Sequence, residues 1–312
     1  MSADSFLVPD EKSGTRIDIF LTQKYQSRTR TAIRKWFNQN LVSINDHPVK
    51  ASYKLRSGDR VRVDTPPETD DSVASVSPWE FALEILYEDH WILAINKPSH
   101  LIVHPGAGAR RHTLVHALVH YLPAIAQVGH PQRPGVVHRL DKETSGLLLI
   151  AKNVEAYKEL TSIFKSRLIR KFYRAAVYGR METSRGRIEK GLGRDPLNRK
   201  KISIRARKLR PAVTLYNELR QLEFGSILDI EILTGRTHQI RVHLSSENHP
   251  IIGDTKYGGG NWNRIRDVDL RQRLRQSGFF GLHALAVEFN HPFTHTPLRI
   301  EAPLPALWNP LL

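Results

Sequence analysis

The residues best placed to do chemistry lie in one stretch, 135 to 153, which reads Gly-Val-Val-His-Arg-Leu-Asp-Lys-Glu-Thr-Ser-Gly-Leu-Leu-Leu-Ile-Ala-Lys-Asn. Its end, Leu147 to Ala151, is a short apolar run with the length and flanks of a buried strand. His138, Arg139, Asp141, Lys142, Glu143, Thr144 and Ser145 crowd directly before it. If residues 137 to 141 are extended, Val137, Arg139 and Asp141 point to one face. A guanidinium and a carboxylate then leave the backbone side by side before Gly146 turns the chain inward. A carboxylate displayed in this way can act as a nucleophile or as a base. An aspartate that only opens a turn reads the same way locally, so the weight falls on the rest of the chain.

Two later stretches could supply partners. Arg170 to Tyr178 alternates as a strand and puts Tyr173 on the face of Ala175 and Val177, opposite Phe172 and Arg174. Its small neighbours leave room over the ring. Ile227 to Ile232 also alternates, Thr234-Gly235-Arg236 ends that strand, and Thr237 can cap a short helix, His238 to Leu244, that carries Arg241.

Other chemistries fit less well. Gly106-x-Gly108 lacks the third glycine and the following Lys-Ser/Thr of a phosphate loop, so it reads as a turn and no nucleotide cofactor is expected. His112, His116 and His120 stand at four-residue steps on an expected helix, but no acidic residue occurs between Arg110 and Asp141, so the row is read as packed or polyanion-facing and not as a metal site. With no cysteine, disulfides and thiolate nucleophiles are excluded. A hydrolase would want a Gly-x-Ser-x-Gly elbow, and none is present.

The elements that must position these residues fall into several segments of 312 residues with a formal net charge of +16. Residues 1 to 15 read as a flexible lead-in. Residues 16 to 64 form a basic unit, with eleven Lys/Arg against three Asp from Arg16 to Val63. There Ile17, Phe20 and Leu21 mark one helix, and Ser27 caps a second that carries Ile33, Trp36 and Phe37 inward and Arg28, Arg30, Arg34 and Lys35 outward. A hairpin follows at Leu41 to Ile44 and Arg60 to Val63. Residues 65 to 80, with four acidic residues, no basic ones and three prolines, read as a linker. The catalytic domain is expected over 81 to 312. It contains a second basic block, Arg185 to Arg210, with eleven Lys/Arg against Glu189 and Asp195. Two such blocks beside a candidate site point to a polyanionic partner. No apolar run approaches the roughly 18 to 20 residues of a membrane span, and the first residues lack a basic-then-apolar leader pattern. A cytoplasmic monomer with no membrane association is the expectation.

His-Arg-Leu-Asp-x-x-Thr-Ser-Gly-Leu, at 138 to 147, resembles the signature loop of the RluA-type pseudouridine synthases. Arg-Lys-x-Tyr-x-Ala at 170 to 175 and Thr-Gly-Arg-Thr-His-Gln-Ile-Arg-Val-His at 234 to 243 are similar to that family's second and third motifs, and the basic unit 16 to 64 is similar to the S4 RNA-binding domain. The resemblance implies an α+β protein: an S4-like domain, then a catalytic domain whose central, mixed but mostly antiparallel sheet is flanked by helices and loops. It implies a catalytic Asp141 with Arg241 as its partner, Tyr173 stacked on the target uracil, and Arg139 as a wedge that helps flip the base out. It also implies a cofactor-free isomerisation of uridine to pseudouridine. Val-His-Pro-Gly-Ala-Gly at 103 to 108 and the segment Ala117 to Ala126 look most like the members that modify large-subunit ribosomal RNA or its assembly precursor. The same chemistry at another ribosomal or transfer RNA site, and an RNA-binding ribosome assembly factor without catalysis, are the alternative readings.

Overall fold

Ile17, Phe20 and Leu21 recur at helical spacing, and in the computed structural model they are the buried face of α1 (Ile17–Lys24). The structure describes residues 3–25, 30–64, 76–106, 111–198 and 200–312. The expected cap Ser27, Arg28, most of the expected linker (65–75), the residues after Gly106 in the expected glycine turn (107–110) and Arg199 lie outside the described residues, as does the side chain of Arg30. Contacts divide the chain into two units, 1–75 and 76–312.

In the first unit α1 and α2 (Arg30–Asn38) pack on a small antiparallel sheet of β1 (Ala3–Leu7), β2 (Val42–Ile44), β3 (His47–Pro48) and β4 (Arg60–Asp64), ordered β1-β4-β2-β3. Ile33, Trp36 and Phe37 are buried with Val42, Val61 and Val63, so the two large aromatics of α2 are core, as a module this small requires. Arg34 and Lys35 stand on the exposed face. The flexible lead-in expected over 1 to 15 is structured over its described residues, from Ala3 on. Ala3–Leu7 pairs with Asp64–Arg60, Val8 is buried, and the Tyr25 hydroxyl donates to Asp4 at 2.5 Å. Backbone pairing and a single buried valine hold this segment, and neither shows as apolar periodicity.

The second unit begins before the expected Phe81: Val76 is buried in its core and the Trp79 N–H donates to the His116 carbonyl. Its strands are β5 (Ile85–Glu88), β6 (Ile92–Lys97), β7 (Gly129–His130), β8 (Arg133–Pro134), β9 (Ser145–Ala151), β10 (Arg170–Tyr178), β11 (Arg185–Glu189), β12 (Gly193–Arg194), β13 (Ile202–Ser203), β14 (Val213–Gln221), β15 (Gly225–Ile232), β16 (Leu282–Asn290) and β17 (Pro297–Glu301). Its helices are α3 (Leu114–Tyr121), α4 (Val154–Ser166), α5 (Gln239–Ser246) and α6 (Val268–Gln276), the last lying in the charged stretch 262–278 and capped by Asp267.

Nine of the strands form one mixed, mostly antiparallel sheet in the order β11-β14-β15-β10-β16-β9-β6-β5, with β17 also on β16. β9, the apolar run of the central stretch, is buried at every residue. It pairs with β6 along its length but meets β16 only at Ser145 and Gly146, in parallel. That short contact is the seam between two half-sheets. Gly146 has φ +106°, and a Cβ there would lie 2.2 Å from the Ala284 carbonyl oxygen, so the seam demands glycine. One core lies under β6, β9, α3 and α4, and a second under β10, β15 and α5.

Candidate active site

Asp141 sits in the loop that runs into the seam. Residues 137 and 138 form a bend and 139 to 141 an irregular loop with no strand pairing, and the side chains alternate there: Leu140 is buried between exposed Arg139 and half-buried Asp141. His138 anchors the loop from beneath. Its Nε2 accepts the Leu149 N–H at 2.9 Å and its ring stacks on Phe164 of α4 at 4.5 Å, with burial pushing its pKa down to about 3. On the other side, Lys97 is fully buried and donates to the carbonyls of Pro98, Leu101 and Lys142 at 2.8, 3.0 and 3.2 Å. Burial lowers its pKa to about 7 against the opposing fields of Asp141 and Glu143. The loop is thus pinned at both flanks of its acid.

Arg241 comes from α5, across the seam. Its Nη1 donates to Asp141 Oδ2 at 2.9 Å, while Nε and Nη2 donate to Asp254 Oδ2 and Oδ1 at 2.7 and 2.9 Å. Asp254 is itself fixed, because its Oδ1 accepts the N–H groups of Lys256 and Tyr257. The guanidinium lies 5.3 Å from the Tyr257 ring and 5.1 Å from that of Phe280. Burial works against its charge, but the hydrogen bonds and charges of Asp254 and Asp141 outweigh burial and hold it protonated. A fork gripped on one side presents Nη1 on the other, nearest Asp141 at 2.9 Å and also within 3.5 Å of Glu143.

Thr237, expected to cap α5, is exposed; the N-cap is His238, in the left-handed region at φ +53°. The first turn is tied down instead by Gln239, whose side chain accepts from the Thr234 hydroxyl and the Arg236 N–H. His238 Nε2 stands 3.8 Å from Asp141 Oδ2.

Tyr173, on β10, lies between β15 and β16 opposite Ile230 and Ala284, at a bulge in the β16 pairing. It lines a cleft of about 490 Å³ together with Arg139, Asp141, His238 and Arg241. Burial, reinforced by Asp141, raises the pKa of its phenol well above the usual range. Asp141, Tyr173, Arg241 and Arg139 therefore share one cleft. Arg139 is exposed at it and has no side-chain hydrogen bond or ion pair among the described residues. Arg34 and Lys35 lie on α2 of the first unit. Of the histidine row, His116 is spent on the cap of α3, where its Nδ1 lies 2.8 Å from the Thr113 hydroxyl.

The second basic block forms its own depression. Arg194, Arg207, Lys208, Arg210 and Arg236 line a groove of about 740 Å³, and Arg236 and Thr237 belong to both this groove and the cleft of Asp141. From the sequence, Lys97 reads as part of a loop and Asp254 and Tyr257 as a turn that serves as scaffold, with no role at the site. Asp254 had one visible mark, an acid following Gly253 in an apolar stretch, which reads equally well as a turn.

A family profile described as RNA pseudouridylate synthase matches residues 91–246, and one described as S4 domain matches residues 15–61. The chain is 36% identical to the ribosomal large subunit pseudouridine synthase D of Neisseria meningitidis serogroup A, over 96% of this chain and 78% of that one. It is 35% identical to the protein of the same name in Vibrio parahaemolyticus, over 96% and 90%. An uncharacterized RNA pseudouridine synthase of Bacillus subtilis is 35% identical over 95% and 92%. Among solved structures, human RNA pseudouridylate synthase domain containing 1 superposes with a TM-score of 0.58 at 25% identity, covering 78% of this chain and 89% of that one.

Proposed function

Since this chain belongs to the RNA pseudouridylate synthase family, we propose that it isomerises specific uridines of large-subunit ribosomal RNA, with Asp141 as the reacting carboxylate. The observation that carries the assignment of Asp141 is its single directed bond from Arg241, whose other face is taken by Asp254, at a cleft that Tyr173 also lines. The reaction breaks the bond from ribose C1′ to uracil N1, turns the base and rejoins it through C5, which gives up its proton. No electron or group is gained or lost, so a carboxylate suffices. Both routes begin at it: attack on C1′, or removal of a ribose proton to give a glycal-like intermediate.

Arg241 orients the carboxylate in its ionised form. Tyr173 stacks on the uracil while the base is detached; a phenol held so firmly protonated serves better as a platform than as a base for the C5 proton. Arg139, exposed beside Asp141, fills the gap left when the uridine leaves its helix. Unstacking costs a few kcal/mol, and stacking on an aromatic returns roughly 1 to 3 kcal/mol per base. The groove of Arg194, Arg207, Lys208, Arg210 and Arg236 takes the phosphates of the adjoining strand. Arg34 and Lys35, exposed on α2 of the S4 unit, add backbone contacts, with Arg28 and Arg30 proposed beside them from the sequence alone. One chain carries every residue of the site, so a monomer suffices, and the cytoplasm, where bacterial ribosomal RNA is made, is the proposed compartment.

The test is Asp141→Asn in the full chain. It should bind unmodified large-subunit ribosomal RNA as the parent does and release no tritium from C5-labelled uridine; release at the parent rate removes Asp141 from the mechanism. Pseudouridine mapping on RNA from a deletion strain assigns the uridines. Loss confined to transfer RNA would refute the ribosomal substrate.

A further inference from the structure

Tyr257 stands three residues past Asp254 and reaches back to α5. Its hydroxyl accepts the Ile202 backbone N–H at 2.9 Å and lies 2.7 Å from His238 Nδ1. Burial raises its pKa, so the phenol keeps its proton. With Ile202 already donating to this oxygen, the one hydrogen the phenol can give has His238 Nδ1 as its acceptor among the described residues. An imidazole that accepts at Nδ1 carries its own proton on Nε2 when neutral.

That Nε2 faces Asp141 Oδ2 at 3.8 Å, too far for a hydrogen bond and close enough for one substrate oxygen to touch both groups. His238 lines the cleft of Tyr173 and also a second cleft of about 610 Å³ on the other side of Asp141, which contains Lys142, Thr255 and Lys256. It therefore stands in the wall between the two spaces, beside the reacting carboxylate. The backbone confirms that the placement is specified: His238 holds φ +53°, a region that His and Asn enter more readily than most residues. Asp141, Arg241, Lys256 and Asp254 are the charged groups around the ring, and burial lowers its pKa against the pull of Asp141.

We infer that His238 is a further catalytic residue, an imidazole locked by Tyr257 with its N–H at Nε2, which hydrogen-bonds, without giving up its proton, to the ribose oxygen of the target nucleotide lying against Asp141. The inference rests on Asp141 as the site of reaction. It also ties the second basic block to the chemistry, because Ile202 of β13 lies in that block and its N–H sets the direction of the Tyr257 proton.

The experiment compares His238→Asn, His238→Gln and Tyr257→Phe in the full chain, with Asp141→Asn alongside. The RNA is unmodified large-subunit transcript carrying C5-tritiated uridine, read by single-turnover tritium release and by filter binding. Asparagine tolerates the left-handed backbone, but its amide ends near the position of Nδ1. Glutamine strains the backbone more, yet its amide N–H reaches the position of Nε2. Removing a positioned donor costs roughly a hundredfold in rate in comparable sites. His238→Asn should therefore lose about that much in rate with RNA affinity unchanged, His238→Gln should recover most of it, and Tyr257→Phe should fall between them. Equal rates for the Asn and Gln variants, a defect confined to RNA affinity, or a Tyr257→Phe rate equal to the parent would each overturn the inference. An active Asp141→Asn would instead sink the assignment on which it rests.

Discussion

Asp254 holds Arg241 by Nε and Nη2 at 2.7 and 2.9 Å and leaves Nη1 as the one donor aimed at Asp141. Asp254 is fully buried and Arg241 nearly so, and their pairing fixes where the third charge can sit. Buried pairs add little net stability, since desolvation offsets attraction, but they impose geometry.

Asp254→Asn keeps the two acceptor bonds from Lys256 and Tyr257 but turns an amide toward Arg241. Breaking a buried pair on one side costs about 3 kcal/mol or more, on the order of 10 °C in Tm for a domain of this size. The rate should drop further than that stability loss explains, because Arg241 can then swing onto Asp141 with both nitrogens and misdirect it. Thermal unfolding and single-turnover rates measured at a temperature where the variant is folded separate the two effects. A parent-like rate would show that Asp254 is only structural.

The seam makes a second, purely structural demand. A methyl at Gly146 overlaps the Ala284 carbonyl and meets a backbone at φ +106°. Gly146→Ala should express as insoluble or strongly destabilised protein. Gly235→Ala, where nothing lies within 4 Å and φ is ordinary, should fold like the parent. Equal solubility and Tm for the two variants would mean the half-sheets can separate at no cost.

What the sequence made legible follows from how local each signal is. The strand at 170 to 178 has the expected bounds, and from Ala175 on its side chains alternate between two cores, Ala175 and Val177 in one and Ala176 and Tyr178 in the other, because period two is written into side-chain order. The run Leu147 to Ala151 is a strand buried on both faces, as its unbroken apolarity implies. Asp141, Tyr173 and Arg241 were marked by motifs, and the cleft contains all three. Asp254 was hidden because its carboxylate does two things at once: it closes a turn onto residues 256 and 257, which is local, and it grips an arginine thirteen residues earlier, which only the tertiary fold brings near. His238 was hidden because a left-handed N-cap displaced Thr237, and the readiness of histidine for that conformation does not by itself mark a helix start. The N-terminal strand escaped for the same reason: its partner β4 lies more than fifty residues away.

Two buried imidazoles predict acid sensitivity. His138 accepts a backbone N–H, and His283 sits between the Ser145 hydroxyl and the Ala302 carbonyl, so both are neutral in the fold, with pKa values lowered by burial to about 3 and about 4 from an ordinary 6.5. Between those values and 6.5 the unfolded chain binds protons that the folded chain refuses, so stability is full above 6.5 and is lost as pH falls. Tm should decline steadily from pH 7 to pH 4. His138→Gln, which offers an uncharged acceptor to Leu149, should flatten that slope. An unchanged slope would mean His138 is protonated in the fold.

The basic groove predicts how affinity responds to salt. Arg207, Lys208 and Arg210 are exposed around it, and the groove joins the cleft of Asp141 through Arg236 and Thr237. Each phosphate contact releases condensed counterions on binding, so the logarithm of the affinity falls with that of the salt concentration by about 0.7 to 0.9 per contact. Replacing all three residues by serine should lower that slope by about two to three. Affinity should suffer most at low salt, where the parent gains most. Once RNA is saturating, the rate of tritium release should match the parent, since none of the three touches Asp141 or Tyr173. A slope unchanged within error would place the RNA on another face. A reduced rate at saturation would mean that the groove also sets how far the flipped nucleotide enters, and the strand would then have to be followed from groove to cleft by single substitutions at Arg194 and Arg236.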